Sequence, residues 1–395
     1  MTPRQRELVG IARELGRDRF APRAAQHDHD ASFPTENYAD LRNAGFLGLC
    51  IPERFGGLGA DFATYCLVSA EFGTWCGATA LTFNMHSCSM LWPSQMADAV
   101  EMTSGEREAH GRRIAGIYER VVRDGAIFAQ PFSEPNAAAA AGRTPFETVA
   151  RAVPGGWRVS GRKHFASLSG AAHFYSIMCT EERPGEPLDR PNTAFLAVPA
   201  DAAGFRIEGE WDTLGMRATV SKSLVLDEVF VPEELALLPS GVYHRVAVAW
   251  PHMFFALAPT YLGIARAAFR FTVDYLRQAK TRSSAVKQLA VADMRLKLEQ
   301  AEALFAQVVG EAGPNPEKAV RLRAYAAYYT IMEHANDICR LAIRTCGGRS
   351  IARALPLERL YRDSRCGALM LPWTAEICLE RLGRESLYEP GERDG

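Results

Sequence analysis

The stretch GRKHFASLSGAA, residues 161–172, decides how the whole chain is interpreted. It joins a turn-like beginning to a single aromatic residue, Phe165, and to a tail rich in serine, alanine and glycine. Segments of strand-like composition lie on both sides, which indicates a β unit. One interpretation is a hairpin in which Phe165 fills a core and the serines satisfy a turn. The other is a surface that presents Phe165 and Ser167 side by side to a bound group.

Outward from this stretch, the secondary-structure signals change twice along the chain. Residues 3–125 carry helical periodicity. Between residues 127 and 231, short apolar segments are bounded by glycine, proline and aspartate, which is typical of strands. Long helical segments follow to about residue 387. This order excludes an alternating βαβ sheet and predicts an α+β protein of several domains.

Composition limits the partners and the location that we expect. The 395 residues are 48% hydrophobic and 23% charged with a net charge of −1, so nothing draws the chain as a whole to nucleic acid or membrane. No apolar run reaches the roughly 18 to 20 residues that span a bilayer, and the start lacks an apolar leader. The nine cysteines include no Cys-x-x-Cys pair, so we expect no metal site and reduced thiols in a cytoplasmic protein.

Seven short motifs, taken in order, carry the functional signal. A Walker loop, a Rossmann glycine pattern and a Ser-His-Asp elbow are all missing from the sequence. The motifs are FGGLG (55–59), SEP (133–135), GRKHFAS (161–167), LGMRAT (214–219), VFVP (229–232), GG (347–348) and PLERLYRDSR (356–365). Together they resemble the acyl-CoA dehydrogenase family over nearly the whole chain. Class D flavin monooxygenases and nitroalkane oxidase share that fold.

The resemblance implies an architecture and a cofactor. We expect an N-terminal all-α domain (1–125), a central β-barrel-like domain (126–235) and a C-terminal four-helix bundle (236–395). FAD would lie between the last two domains and the adjacent subunit of a homodimer or homotetramer. Because charge develops at N5 and near N1 when a flavin is reduced, hydrogen-bonding groups at those atoms tune it.

Several positions match the flavin contacts of that family. Phe165 would cover one face of the ring, Ser167 would reach N5, and Ser133 would approach the pyrimidine end. Thr374 and Glu376 resemble a pair that contacts adenosine, although a helix N-cap and a first-turn acid explain them equally. The cofactor-binding residues implied by the resemblance are Phe132, Ser133, Phe165, Ala166, Ser167, Arg282, Arg344, Gly347, Gly348, Thr374 and Glu376.

The chain departs from the family at the catalytic base. Where family members carry a glutamate that removes the substrate Cα proton, this chain has MLPWT (370–374), and a second customary position aligns near Met253. Neither holds a carboxylate. The candidate substitutes are His86, His252 and Glu376, the histidines because they titrate near neutral pH. The residues expected to line an apolar substrate pocket are Met253, Phe254, Leu371 and Trp373.

Three functions are compatible with these residues. The first is α,β-desaturation of an acyl thioester, bound to coenzyme A or a carrier protein, with a non-standard base. The second is a flavin-dependent monooxygenase, which needs no such base and suits an apolar pocket. The third is a non-catalytic flavin-binding protein. The resemblance favours the first, an FAD-dependent oxidoreductase with a small-molecule substrate and an electron acceptor or a flavin reductase as partner.

Overall fold

Helices, strands and helices follow one another along the chain. The computed structural model describes residues 1–279, 281–389 and 392. The helices before the sheet are α1 (Pro3–Leu15), α2 (Ala21–Asp30), α3 (Thr35–Asn43), α4 (Phe62–Trp75), α5 (Gly77–Leu91) and α6 (Ser104–Val122). The strands are β1 (Phe128–Ala129), β2 (Val149–Val153), β3 (Gly156–Ala166), β4 (Phe174–Glu182), β5 (Thr193–Pro199), β6 (Phe205–Glu208), β7 (Lys222–Pro232) and β8 (Ala236–Leu238), with the short helix α7 (Ala137–Ala140) after the first.

Long helices form the last part of the described chain. They are α8 (Val242–Ala249), α9 (Ala258–Gln278), α10 (Ala285–Glu311), α11 (Lys318–Cys346), α12 (Leu357–Cys366) and α13 (Ala375–Leu387). Helices α9, α10, α11 and α13 pack into a bundle, and α12 packs against α9 and α11. The fold class predicted from the sequence is therefore confirmed. The predicted boundaries at 125/126 and 235/236 stay predictions, and residues 280, 390, 391 and 393–395 of the predicted C-terminal domain lie outside the described residues.

The N-terminal helices are fastened to the bundle by a close helix crossing. Helix α4 packs against α9, with glycine on each side of the contact. A Cβ atom added at Gly73 would lie 2.4 Å from the carbonyl oxygen of Thr260, and one added at Gly263 would lie 2.4 Å from that of Ala70. No side chain fits there, so these glycines let the two backbones touch.

One mixed sheet forms the middle of the molecule. Its strand order is β6-β7-β3-β2-β4-β5-β8, and β1 pairs with β4. Strands β3 and β7 are antiparallel, and their register shifts between Lys163 and Ala166. Such a bulge bends the strand and re-aims its side chains. The bulged segment contains Phe165, and Ser167 follows directly after the end of the strand.

A polar junction joins α2, α12 and the LGMRAT loop. The backbone N–H of Met216 donates to the buried carboxylate of Asp363 at 2.6 Å. The neighbouring Arg362 forms an ion pair with Asp28 at 2.6 Å and donates to the carbonyl of Leu214 at 3.1 Å. Three segments far apart in sequence are thus held at one point.

We expect Asp363 to give the stability a recognisable pH dependence. Burial, assisted by the Asp28 carboxylate, raises the pKa of Asp363 to about 6. Between about pH 4 and 6 the folded state therefore binds more protons than the unfolded state, and the free energy of unfolding should fall by up to roughly 3 kcal/mol as the pH rises through this window. Urea unfolding at several pH values should show this decrease in the native protein and lose it in Asp363→Asn.

The exposed carboxylate of Asp201 provides the control. Asp201→Asn should keep the native pH profile. Parallel profiles for the native protein and Asp363→Asn would contradict the assignment of this pH dependence to Asp363.

Candidate active site

A cavity of about 350 Å³ lies where the helical and sheet parts of the chain meet. Helix α5 and the end of β3 contribute to its wall, together with residues from the segments 130–133, 211–221, 253–257 and 365–372. Apolar side chains dominate the helical side. Hydroxyl groups lie on the sheet side, so the cavity has one apolar wall and one polar wall.

A buried ion pair fixes the polar wall. Lys163 Nζ lies 2.7 Å from Glu134 Oε1, both side chains are fully buried, and Nζ also donates to the carbonyl of Met178 at 2.7 Å. The Glu134 carboxylate accepts two backbone N–H groups, from Glu147 at 2.7 Å and Thr148 at 3.0 Å. Although burial acts in the opposite direction, Lys163 lowers the pKa of Glu134. The carboxylate is therefore charged and fully partnered, and Ser133 beside it is held against β3.

Phe165 stands at the edge of the cavity in an unusual conformation. Its side chain is 64% exposed, and its φ of 53° lies in the left-handed region that a phenylalanine rarely adopts. The ring meets Trp211 edge to face at 6.3 Å between centroids. The preceding His164 N–H donates to the carbonyl of Ser133 at 2.8 Å. An aromatic ring is thus left uncovered next to Ser133.

Three hydroxyls form a line on the polar wall. Ser167 Oγ lies 2.9 Å from Ser221 Oγ, which lies 2.7 Å from Thr219 Oγ1. The Thr219 hydroxyl donates to the carbonyl of Met216 at 2.8 Å. Ser167, Ser221 and Thr219 are all buried, and all three line the cavity. We call this arrangement the hydroxyl chain.

The apolar wall contains most of the predicted pocket residues. Met253, Phe254 and Leu371 line the cavity. Phe254 lies 6.1 Å from Phe132 and 6.0 Å from Trp373, measured between ring centroids. Trp373 itself is buried behind Phe254 and does not line the cavity. Their contact with substrate stays a prediction.

The three candidate bases lie away from the cavity. His86 Nε2 bonds the carbonyl of Leu47 at 2.8 Å, and its Nδ1 accepts the N–H of Phe128 at 3.1 Å, so both ring nitrogens are occupied by backbone. Burial lowers the pKa of His86 to about 4. His252 is buried without lining the cavity, and burial lowers its pKa. Glu376 is exposed in the first turn of α13.

The described residues that do line the cavity include no aspartate, glutamate or histidine. Its titratable side chains are Arg365 and the thiols of Cys88 and Cys366. Burial raises the pKa of both thiols, that of Cys366 to about 12, so neither is a thiolate near neutral pH. The cavity can bind a ligand and exclude water, but no side chain of the described residues that line it can act as a base near neutral pH.

The remaining predicted cofactor residues lie outside this cavity. Arg282 borders a groove between α9 and α10 together with Lys287 and Arg295. Thr374 caps α13 by accepting the N–H of Ile377 at 3.3 Å, which is the capping role considered above. Four more predicted cofactor residues lie outside the cavity: Arg344 and Gly348 are exposed, Gly347 lies at the end of α11, and Ala166 is fully buried. The contacts of all these residues with FAD stay predictions.

Sequence reasoning missed several residues of the cavity. Ser221 and Trp211 flank the LGMRAT motif without belonging to it, and Gln130 and Trp92 carry no motif at all. The one available signal for Gln130 was its position three residues before Ser133. The others become neighbours only through tertiary folding.

The geometry fits a flavin. An isoalloxazine is a flat aromatic ring with hydrogen-bonding groups along its edges, and the site offers an uncovered phenylalanine beside buried hydroxyls. Models of the acyl-CoA dehydrogenase N-terminal, middle and C-terminal domains match residues 2–97, 129–229 and 252–387. The chain belongs to the acyl-CoA dehydrogenase family. It is an FAD-dependent oxidoreductase, which confirms the family and cofactor predicted from the sequence.

Two curated relatives illustrate the spread of reactions in this family. The 3-sulfinopropanoyl-CoA desulfinase of Variovorax paradoxus is 27% identical over 391 residues, covering 92% of this chain and 90% of the relative. The human mitochondrial short-chain specific acyl-CoA dehydrogenase is 25% identical over 375 residues, covering 91% of this chain and 84% of the relative.

Solved structures share the fold at lower identity. KijD3 in complex with FMN and dTDP-3-amino-2,3,6-trideoxy-4-keto-3-methyl-D-glucose has a TM-score of 0.84 at 24% identity, covering 100% of this chain and 96% of that one. The dibenzothiophene monooxygenase TdsC of Paenibacillus sp. A11-2 has a TM-score of 0.80 at 20% identity, covering 96% and 97%. Among the described residues, no helix has the length and apolar character needed to cross a membrane.

Breaking the buried ion pair should be costly. Lys163→Met would leave the Glu134 carboxylate buried without its cation, which typically lowers the free energy of unfolding by about 3–5 kcal/mol. FAD retention should fall as well, because Ser133 and the β3 bulge are anchored by this pair. Urea unfolding and the ratio of flavin to protein absorbance measure the two effects.

The exposed pair between Arg151 and Glu228 is the matched control, with side chains 58% and 53% exposed. Arg151→Met should change stability little, because exposed pairs contribute little. Equal losses in the two variants would show that burial of the Lys163 pair is not what matters.

Proposed function

We propose that this protein is a flavin-dependent monooxygenase acting on an uncharged, largely apolar small molecule. The observation that carries the proposal is the lack of any aspartate, glutamate or histidine among the described residues that line the cavity. Desaturation of an acyl thioester requires a group that removes the Cα proton. Oxygenation of a sulfur, nitrogen or activated carbon makes no such demand.

The residues on the two walls have distinct tasks in this proposal. When bound, FAD would supply the two electrons, received from NADH or NADPH through a reductase, that together with two protons let one atom of dioxygen enter the substrate and the other leave as water. Ser133, Phe165 and Ser167 would hold the flavin ring, with Ser167 at N5 as the resemblance to the family implies. Met253 and Phe254 exclude water from the apolar side, which protects reactive species from hydrolysis.

Two unpartnered donors suggest what the substrate carries. Gln130 is 6% exposed and Trp92 is 4% exposed, and both line the cavity. The Gln130 amide nitrogen and the Trp92 indole nitrogen are buried without a hydrogen-bond partner among the described residues. Buried donors normally have partners, so an acceptor on the substrate, such as a carbonyl oxygen, would complete them.

Desaturation of an acyl thioester is the second candidate, and the names of the two relatives support a thioester substrate. Both named relatives match more than nine-tenths of this chain and bear the names of enzymes that act on coenzyme A thioesters. This candidate needs a base from the substrate or from solvent.

A homodimer or homotetramer is part of the proposal. Helix α10 exposes Val286, Leu289 and Leu296, which are 76%, 72% and 64% exposed. Apolar side chains repeated along one exposed helix support burial against another subunit. Arg282 lies just before this helix, where the resemblance assigns contact with a neighbouring subunit's FAD.

The two candidates differ in what reduces the flavin. We expect butyryl-CoA, added to the FAD-loaded protein without oxygen, to leave the flavin absorbance unchanged, because nothing in the cavity takes the Cα proton. With NADH, a flavin reductase and isotopically labelled dioxygen, a neutral aromatic probe such as indole should gain one labelled oxygen atom by mass spectrometry. Bleaching of the flavin by butyryl-CoA, with formation of the unsaturated thioester, would reject the monooxygenase in favour of the dehydrogenase.

Gln130 should determine a preference for acceptor-bearing ligands. The native protein should bind 1-indanone more tightly than indane, which lacks the carbonyl, by roughly tenfold. Gln130→Leu should remove most of this preference, since the amide that meets the carbonyl is gone. Titration of the flavin absorbance with each compound gives the two dissociation constants.

Gln26, which is exposed on α2, offers the control substitution. Gln26→Leu should preserve the native preference. A preference for 1-indanone that survives in Gln130→Leu would contradict the assigned contact.

A further inference from the structure

We propose that the hydroxyl chain biases the flavin toward its reduced state, with Ser221 and Thr219 acting as positioning residues behind Ser167. The inference rests on FAD lying in the cavity with its N5 edge toward Ser167, as proposed above. It does not depend on which reaction follows.

The bias follows from counting protons along the chain. Each hydroxyl has one proton to donate. The Thr219 proton goes to the carbonyl of Met216 at 2.8 Å. The 2.7 Å contact between Thr219 and Ser221 then requires the Ser221 proton, and the 2.9 Å contact between Ser221 and Ser167 requires the Ser167 proton. In this direction Ser167 presents only lone pairs to the cavity.

The opposite direction is available at the loss of one hydrogen bond. If Ser167 turns its proton toward the cavity, Ser221 donates to Ser167 and Thr219 donates to Ser221. The link from the Thr219 hydroxyl to Met216 is then broken. The Met216 carbonyl still accepts the backbone N–H of Thr219 at 3.1 Å, so no buried acceptor is left without a partner.

The two directions match the two redox states of a flavin. N5 of an oxidised flavin has a lone pair and accepts a hydrogen bond, whereas N5 of a reduced flavin carries a proton and donates one. The reduced state therefore keeps every bond of the chain, and the oxidised state gives up the one to Met216. By this count the hydroxyl chain favours the reduced flavin by about one net hydrogen bond, which is a factor of about five in the equilibrium between reduced and oxidised FAD.

The backbone around the chain is built to hold the hydroxyls in place. Leu168, Met216 and Val220 have φ angles of 67°, 54° and 44°, in the left-handed region. For a β-branched residue such as Val220 this conformation is an outlier, which persists only where the surroundings impose it. Unfavourable backbone conformations thus occur on both sides of the three hydroxyls. The surrounding structure holds the hydroxyls in place at the expense of local backbone energy.

The test is the midpoint potential of the FAD-loaded protein, measured by equilibration with a reference dye in the absence of substrate. Thr219→Val and Ser221→Ala should each lower the potential by the equivalent of about a fivefold change in the ratio of reduced to oxidised FAD, about 20 mV for a two-electron couple. The double variant should show the same shift as each single variant, because both substitutions interrupt one chain.

Three further variants control for a general structural effect. Thr219→Ser and Ser221→Thr keep the hydroxyls and should keep the native potential. Ser169 is buried nearby and donates to the carbonyl of Ala166 at 2.7 Å, outside the chain, so Ser169→Ala should also leave the potential unchanged. If Thr219→Val loses FAD, Ser221→Ala decides the question alone.

Two results would overturn the inference. One is an unchanged potential in variants that still bind FAD. The other is a shift that adds in the double variant or appears equally in Ser169→Ala. Because no substrate is present, a failure of the proposed oxygenation would leave this measurement unaffected, so the two proposals fail separately.

Discussion

The ion pair between Lys163 and Glu134 is the contact on which the site depends. Neither charge can be buried alone, so the segment that ends in Ser133 and the strand that leads to Ser167 have to stay together. The Met178 carbonyl draws β4 into the same arrangement. This matters because Ser133 meets β3 through a single bridge to His164, too little backbone pairing to fix its position. Electrostatics supplies the rigidity that the sheet does not.

Around this anchor, local preference gives way to the needs of the cavity. Phe165 is exposed at positive φ, although an aromatic side chain would normally be buried and a phenylalanine extended. The bulge in β3 causes this departure, since the strand that continues to Ala166 has to take up one extra residue. Conflicts of this kind between local and global structure are expected at functional sites. Here they cluster on the polar wall, while the apolar wall consists of ordinary core side chains.

Sequence alone could predict the fold and some of the residues that line the cavity. The order of motifs predicted helices, a sheet and a bundle, and three of the predicted cofactor positions, Ser133, Phe165 and Ser167, do meet at the cavity. The sequence also shows that the family's usual position for the catalytic base holds no acid, because residues 370–374 are MLPWT. Other features depend on tertiary contacts that no spacing reveals. His86 stays a prediction as a base, but the structure places both of its ring nitrogens on backbone groups, which no spacing in the sequence indicates. Ser221 becomes part of the cavity only through its folded neighbours.

The ion pair between Arg362 and Asp28 has a consequence for how the protein tolerates shortening. Asp28 touches no part of the cavity, yet it anchors the arginine that also grips the loop carrying Leu214 and Met216. The amino-terminal helices therefore help to hold this loop in place, and they are not a separable part of the fold. Proteolytic removal of the first 30 residues or so would leave every hydroxyl of the polar wall in the polypeptide while removing the Asp28 carboxylate that holds Arg362 against the loop. We expect such a fragment to be less stable than the full chain and to lose its cofactor more readily.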